Sequence, residues 1–149
     1  MNTRPLVRVA ALGAVLIPAA LLATGCTSVI DRFVHHQMDL SFEDRAALQD
    51  GWDRETEWVP ADASRITGTA STDSTVAAIL LRSDEALDPS VCAETPRSSA
   101  PVFALDGAPD VFEIDTVYAC GDWTVVPSAD GWLGWTPSNP AEQAASPGA

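Results

Sequence analysis

The chain has 149 residues, 46% of them hydrophobic, and sets eight basic side chains, all arginine, against 21 acidic ones for a net charge of −13. A surface this negative repels phosphate backbones and anionic head groups, which excludes nucleic acid as a partner. The apolar content excludes wholesale disorder, and the length allows one modest domain.

Residues 1–8 carry Arg4 and Arg8 with no acid, and residues 9–23 are uncharged and largely apolar. That is the layout of an export signal. A retained membrane helix is the rival, because a span needs about 20 apolar residues and the uncharged stretch runs on to Ile30. Thr24, Gly25, Cys26, Thr27 and Ser28 interrupt it with small and polar side chains, which favours cleavage. The run Leu21-Leu22-Ala23-Thr24-Gly25-Cys26 resembles the lipobox read by lipoprotein signal peptidase, with Ala23 standing where leucine is preferred. The resemblance implies that residues 1–25 are removed and that Cys26 becomes an acylated first residue, its partner the membrane lipid on the extracytoplasmic face. The mature chain then holds six arginines against 21 acids, or −15.

With Cys26 assigned to lipid, the three cysteines reduce to one pair, Cys92 and Cys120, in a compartment that permits oxidation. No Cys-x-x-Cys spacing and no nearby histidine favours a redox or metal role, so a structural disulfide is expected.

Along the mature chain, Ile30, Phe33, Val34 and Met38 recur at helical spacing and predict a short membrane-proximal helix within residues 26–40. Ser41 with Asp44 resembles a capping box, which predicts a second helix over 42–49 that Gly51 ends. Pro60 and Asp62 predict a helical turn at 63–65. From Ile66 the composition turns to Thr, Val and Ile, and 75–82 reads as a buried strand. Residues 84–91 read as a short helix or turn and 94–101 as a proline-bearing loop. Short strands are expected at 102–105, 111–114, 117–119, 123–126 and 132–135, with Ala129-Asp130-Gly131 the firmest turn. The expected organisation is a leader at 1–25, a membrane-proximal segment at 26–40, a globular domain at 41–137 and a disordered tail at 138–149. The expected fold class is α+β, with short N-terminal helices followed by a small antiparallel sheet of about five strands and one disulfide.

Chemistry-bearing motifs are sparse. His35 and His36 are the two histidines, adjacent in the membrane-proximal segment, and Gly-x-Ser-x-Gly, Ser-x-x-Lys and His-Glu-x-x-His are all absent. Asp106, Asp110, Glu113 and Asp115 are near enough in sequence to share a hard cation such as calcium, but they lack the order of an EF-hand, and solvated turn carboxylates are the commoner case. No residue is therefore assigned as catalytic, metal-binding or cofactor-binding, and no cofactor is expected.

The five tryptophans are the most distinctive feature of the mature part. If 132–135 is a strand, Leu133 and Trp135 share one face and Trp132 and Gly134 the other. Trp135 then suits the core. Trp132 over Gly134 is the candidate platform for a sugar, wall peptide or protein, against the alternative that all five tryptophans are core residues.

The blocks Trp58-Val59-Pro60-Ala61-Asp62-Ala63, Ser83-Asp84-Glu85-Ala86-Leu87 and Gly131-Trp132-Leu133-Gly134-Trp135-Thr136-Pro137 are similar to those of small actinobacterial lipoproteins of unknown function, a resemblance that carries no assigned activity. The reading that results is a membrane-anchored, non-enzymatic binding or scaffolding module for an envelope protein or wall component. A carboxylate-dependent envelope hydrolase or accessory enzyme is the alternative.

Overall fold

A computed structural model describes residues 36–149. Cys26, the leader and His35 lie outside the described residues. The fold is a seven-stranded, wholly antiparallel sheet in the order β1-β2-β3-β7-β6-β5-β4. Its strands are β1 (Gln37–Asp44), β2 (Ser64–Ser71), β3 (Ala77–Arg82), β4 (Ala93–Pro96), β5 (Thr116–Cys120), β6 (Trp123–Ser128) and β7 (Gly131–Thr136). Among the described residues, helix is confined to α1 (Arg45–Gly51) and α2 (Pro140–Gln143), with one 3-10 turn at Val111–Glu113. Among the described residues no helix is long and apolar enough to cross a membrane.

The expected α+β class with leading helices is therefore corrected to a mainly-β fold. The cause is a competition of periods. Met38, Leu40 and Phe42 recur every second residue, between exposed Asp39, Ser41 and Glu43, and bury one side of a strand. From Gln37 onward that alternation prevails over the expected helix, whose part before residue 36 lies outside the described residues. The cap also sits later than Ser41: the Asp44 carboxylate accepts the Ala47 amide at 2.8 Å and starts α1. At 63–65, where a helical turn was expected, Ser64 begins β2, and the register with β3 shifts between Ser64 and Thr67, with Arg65 at φ +49°.

The chain runs β1 to β3 as a meander, crosses by residues 83–92 to the far edge, and steps back through β4, β5 and β6. This lands β7 against β3 in six consecutive pairs, from Ala77 opposite Thr136 to Arg82 opposite Gly131. Both central strands are covered on two sides. Ala77, Ile79 and Leu81 face a cluster with Leu48, Trp52, Trp58, Val59 and Trp123, while Ala78, Leu133 and Trp135 face a second with Val111, Val117 and Val126. Segment 97–115 covers that second face with Phe103, Leu105 and Ile114. Residues 102–105 and 111–114 were expected as strands. Pro101, Gly107 and Pro109 break their backbone, so they bury side chains without joining the ladder.

Trp58 seats its ring against the flat backbone of Gly134. A β-carbon there would stand 2.7 Å from Trp58 Cη2 and nearer still to Cζ2. Gly134→Ala is expected to lower stability by about 1–3 kcal/mol through overpacking, read as a lower urea midpoint at constant slope. An unchanged midpoint would show that the Trp58 seat is not closely packed.

Candidate functional site

Cys92 and Cys120 are joined in a disulfide, as expected, at a sequence separation of 28. It ties the end of the 83–92 crossover to the end of β5. Loop-closure entropy assigns such a bridge about 3.5 kcal/mol, so Cys92→Ser with Cys120→Ser is expected to lose about that much stability. Two titratable thiols in the denatured, unreduced wild-type chain would contradict the bridge.

Four of the five tryptophans are core residues. Trp123 lies 6.0 Å from Trp52 in an edge arrangement and 5.6 Å from Trp58, and its Nε1 donates to the Glu55 carbonyl at 2.9 Å. Trp135 is buried on the second face and donates to Ser99 Oγ at 2.8 Å. Trp132 is half-buried. Its Nε1 donates to the Glu85 carbonyl at 3.0 Å, and its ring meets Tyr118 edge-on with centroids 5.7 Å apart. Trp132 and Gly134 do share a face, but Trp58 fills the space above Gly134, so the wide flat surface expected over that glycine is not formed.

Two polar depressions flank this aromatic core. In the one beside Trp132, the groups are tied to local partners. Asp62 accepts Ser83 Oγ at 2.5 Å and the Asp84 amide at 2.8 Å, with Ser83 foremost in holding its carboxyl below the usual range. Asp130 pairs with Arg82 at 3.4 Å, an exposed contact of little energetic weight. In the other, beside the disulfide, Arg54 donates to the Ser74 carbonyl and to Thr136 Oγ1, the latter at 2.7 Å, and lies 5.8 Å over Trp123. Neither depression presents a free guanidinium among the described residues.

The four turn acids do not converge. Asp110 caps the 3-10 turn by accepting the Phe112 amide at 3.0 Å, and among the described residues no group of three or more His, Cys, Asp or Glu is arranged to hold a metal.

The residue that organises the second face is Glu142, in the segment expected to be a disordered tail. Asn139-Pro140-Ala141-Glu142 folds as a capping box, with proline at the start of the helix and the Asn139 side chain accepting the Ala141 amide at 2.9 Å. This turns the Glu142 carboxylate inward, where it is fully buried. It accepts the Ser98 amide at 2.6 Å, the Ser99 amide at 3.0 Å, Ser99 Oγ at 2.5 Å, Thr124 Oγ1 at 2.7 Å and the Asn139 amide at 3.0 Å. Burial pushes its pKa up, but the donors from Ser99, Ser98, Thr124 and Asn139 prevail and hold it below the ordinary 4.5. A carboxylate in this state is a saturated structural acceptor, where a general acid needs a proton to give. Farther along, Ser146 Oγ accepts the Gly121 amide at 2.6 Å and fastens the remaining tail over the disulfide end of β5. The signal for this packing was the capping-box spacing, which does not depend on an apolar period.

No protein-family model, curated protein or solved structure matches the chain.

Because the folded pKa of Glu142 is depressed, its stabilising effect is complete above the unfolded value and is lost as pH falls through the folded one. Glu142→Gln, which points an amide N–H₂ at existing donors, is expected to lower stability by about 2–3 kcal/mol at pH 7. The gap from wild type should narrow below pH 4.5. Denaturation midpoints at pH 7 and pH 3 check this, and a gap that is constant with pH would contradict it.

Proposed function

We propose that the chain is an extracytoplasmic lipoprotein, held on the membrane face through acylated Cys26, whose β-domain is a non-enzymatic binding or scaffolding module of the envelope. The observation that carries the reading is the Cys92–Cys120 disulfide, because such bonds persist in oxidising compartments and are rare in the cytosol of mesophiles. The lipobox resemblance supports the same address independently, since it names the odd cysteine as the acylated one.

A binding role draws support from how the polar groups are used. Glu142 and Arg54 hold secondary elements together, and Asp62 and Asp110 cap turns. Segment 97–115, by contrast, is irregular backbone laid over a rigid sheet, the usual situation of recognition surfaces.

Mass spectrometry of the chain purified from its native membrane is the test. The amino end is expected at Cys26 and heavier by a diacylglyceryl group, and Cys26→Ala is expected to leave the leader attached. A chain that begins at Met1 with an unmodified thiol at Cys26 would overturn the proposal.

A further inference from the structure

Two large hydrophobic side chains are strongly exposed among the described residues, Val102 at 71% and Phe112 at 73%. Single exposed apolar residues are ordinary, but these two border one groove of about 290 Å³ between 101–105 and 108–112, with Leu133 of β7 in its wall. That volume lies at the lower limit of small-molecule sites, ~300–1,000 Å³, and suits one or two inserted side chains. The groove is prearranged from both ends. Asp110 caps the turn that presents Phe112, while Arg97 Nε donates to the Ile114 carbonyl at 2.8 Å and Nη1 to the Ser99 carbonyl at 3.2 Å. A surface already held in its binding shape loses little conformational entropy when occupied.

Charge selects the occupant. Asp106, Asp110, Glu113 and Asp115 are all exposed on this segment, whereas its guanidinium, Arg97, is engaged by those carbonyls and lies 5.4 Å over the Phe112 ring. A second copy of the chain would set the same four carboxylates against these, and an anionic bilayer would be repelled in the same way. A basic partner gains on both counts. We propose that the groove bordered by Val102 and Phe112 docks a segment of a partner protein that inserts an apolar side chain flanked by lysine or arginine. The inference rests on the reading of the chain as a binding module and names that module's surface and the chemistry of its partner.

The test uses the full chain in phosphatidylcholine nanodiscs, with empty nanodiscs as the blank, and two short peptides that share a Phe-Leu centre, one flanked by lysines and one by glutamates. Calorimetry is expected to show saturable binding of the lysine peptide, weakened roughly tenfold or more by Phe112→Ser with Val102→Ser and weakened by salt. The glutamate peptide is expected not to bind. Both substituted positions are exposed and the lost Arg97–Phe112 contact is a weak one, so the variant should melt within about 8 °C of the wild-type temperature. No binding, or equal binding by the variant, would overturn the groove; binding of the glutamate peptide would overturn the charge selection. Sedimentation showing self-association that the variant loses would overturn it in favour of a second copy. Entry into nanodiscs reports Cys26 acylation separately, and a chain without lipid is titrated in buffer, so failure of the anchor and failure of the groove give different results.

Discussion

A carboxylate withdrawn from water is stable only while donors surround it, and the second face of this sheet is built around one such group. Removing an ion from solvent costs several kcal/mol, and among the described residues no cation pairs with Glu142 to offset that cost. Five neutral donors do so instead, two of them amides at the start of segment 97–115, one a β6 hydroxyl, one its own helix cap and one the Ser99 hydroxyl that also receives Trp135. The network therefore joins the carboxyl-terminal segment, the irregular covering segment and the centre of the sheet. Removing the charge would leave several buried donors with a poorer acceptor at once, because groups in one network do not act additively.

This explains how a stretch with almost no regular structure can form a defined surface. Segment 97–115 contributes one 3-10 turn and no ladder, yet Phe103, Leu105 and Ile114 pack on the sheet and its ends are held by Glu142, Arg97 and Asp110. On the opposite face the work of covering falls to aromatic packing, with Trp58 seated on Gly134 and Trp123 between Trp52 and Trp58. The disulfide closes the same end of the sheet where Ser146 fastens the tail.

Much of the sheet was legible in the sequence, for a local reason. At 75–82, 117–119, 123–126 and 132–135 the β-branched and aromatic runs lie between turn residues, and strands form there. The cysteine pair followed from parity. What failed needed information from elsewhere in the chain. Met38 fits both the helical spacing of Ile30, Phe33 and Val34 and the alternation of Leu40 and Phe42, and from Gln37 onward pairing with β2 decides for the strand. The apolar runs at 102–105 and 111–114 look like strands but serve as a lid of side chains. Glu142 was invisible because four of its five donors come from residues 18 to 44 positions away, although the Asn-Pro-x-Glu cap that aims it was present. At the candidate site the sequence shows the acids of 106–115 as possible cation ligands, whereas the exposure of Val102 and Phe112 along one groove depends on the fold.

Native-state hydrogen exchange on wild type and Glu142→Gln tests most directly whether this carboxylate holds the covering segment. The amides of Ser98, Ser99, Ala108, Phe112, Glu113 and Ile114 are expected to lose protection in the variant while the β2–β3 pairs keep theirs, as local opening requires. Protection that is unchanged at Ser98 and Ser99, or lost evenly through every strand, would contradict the account.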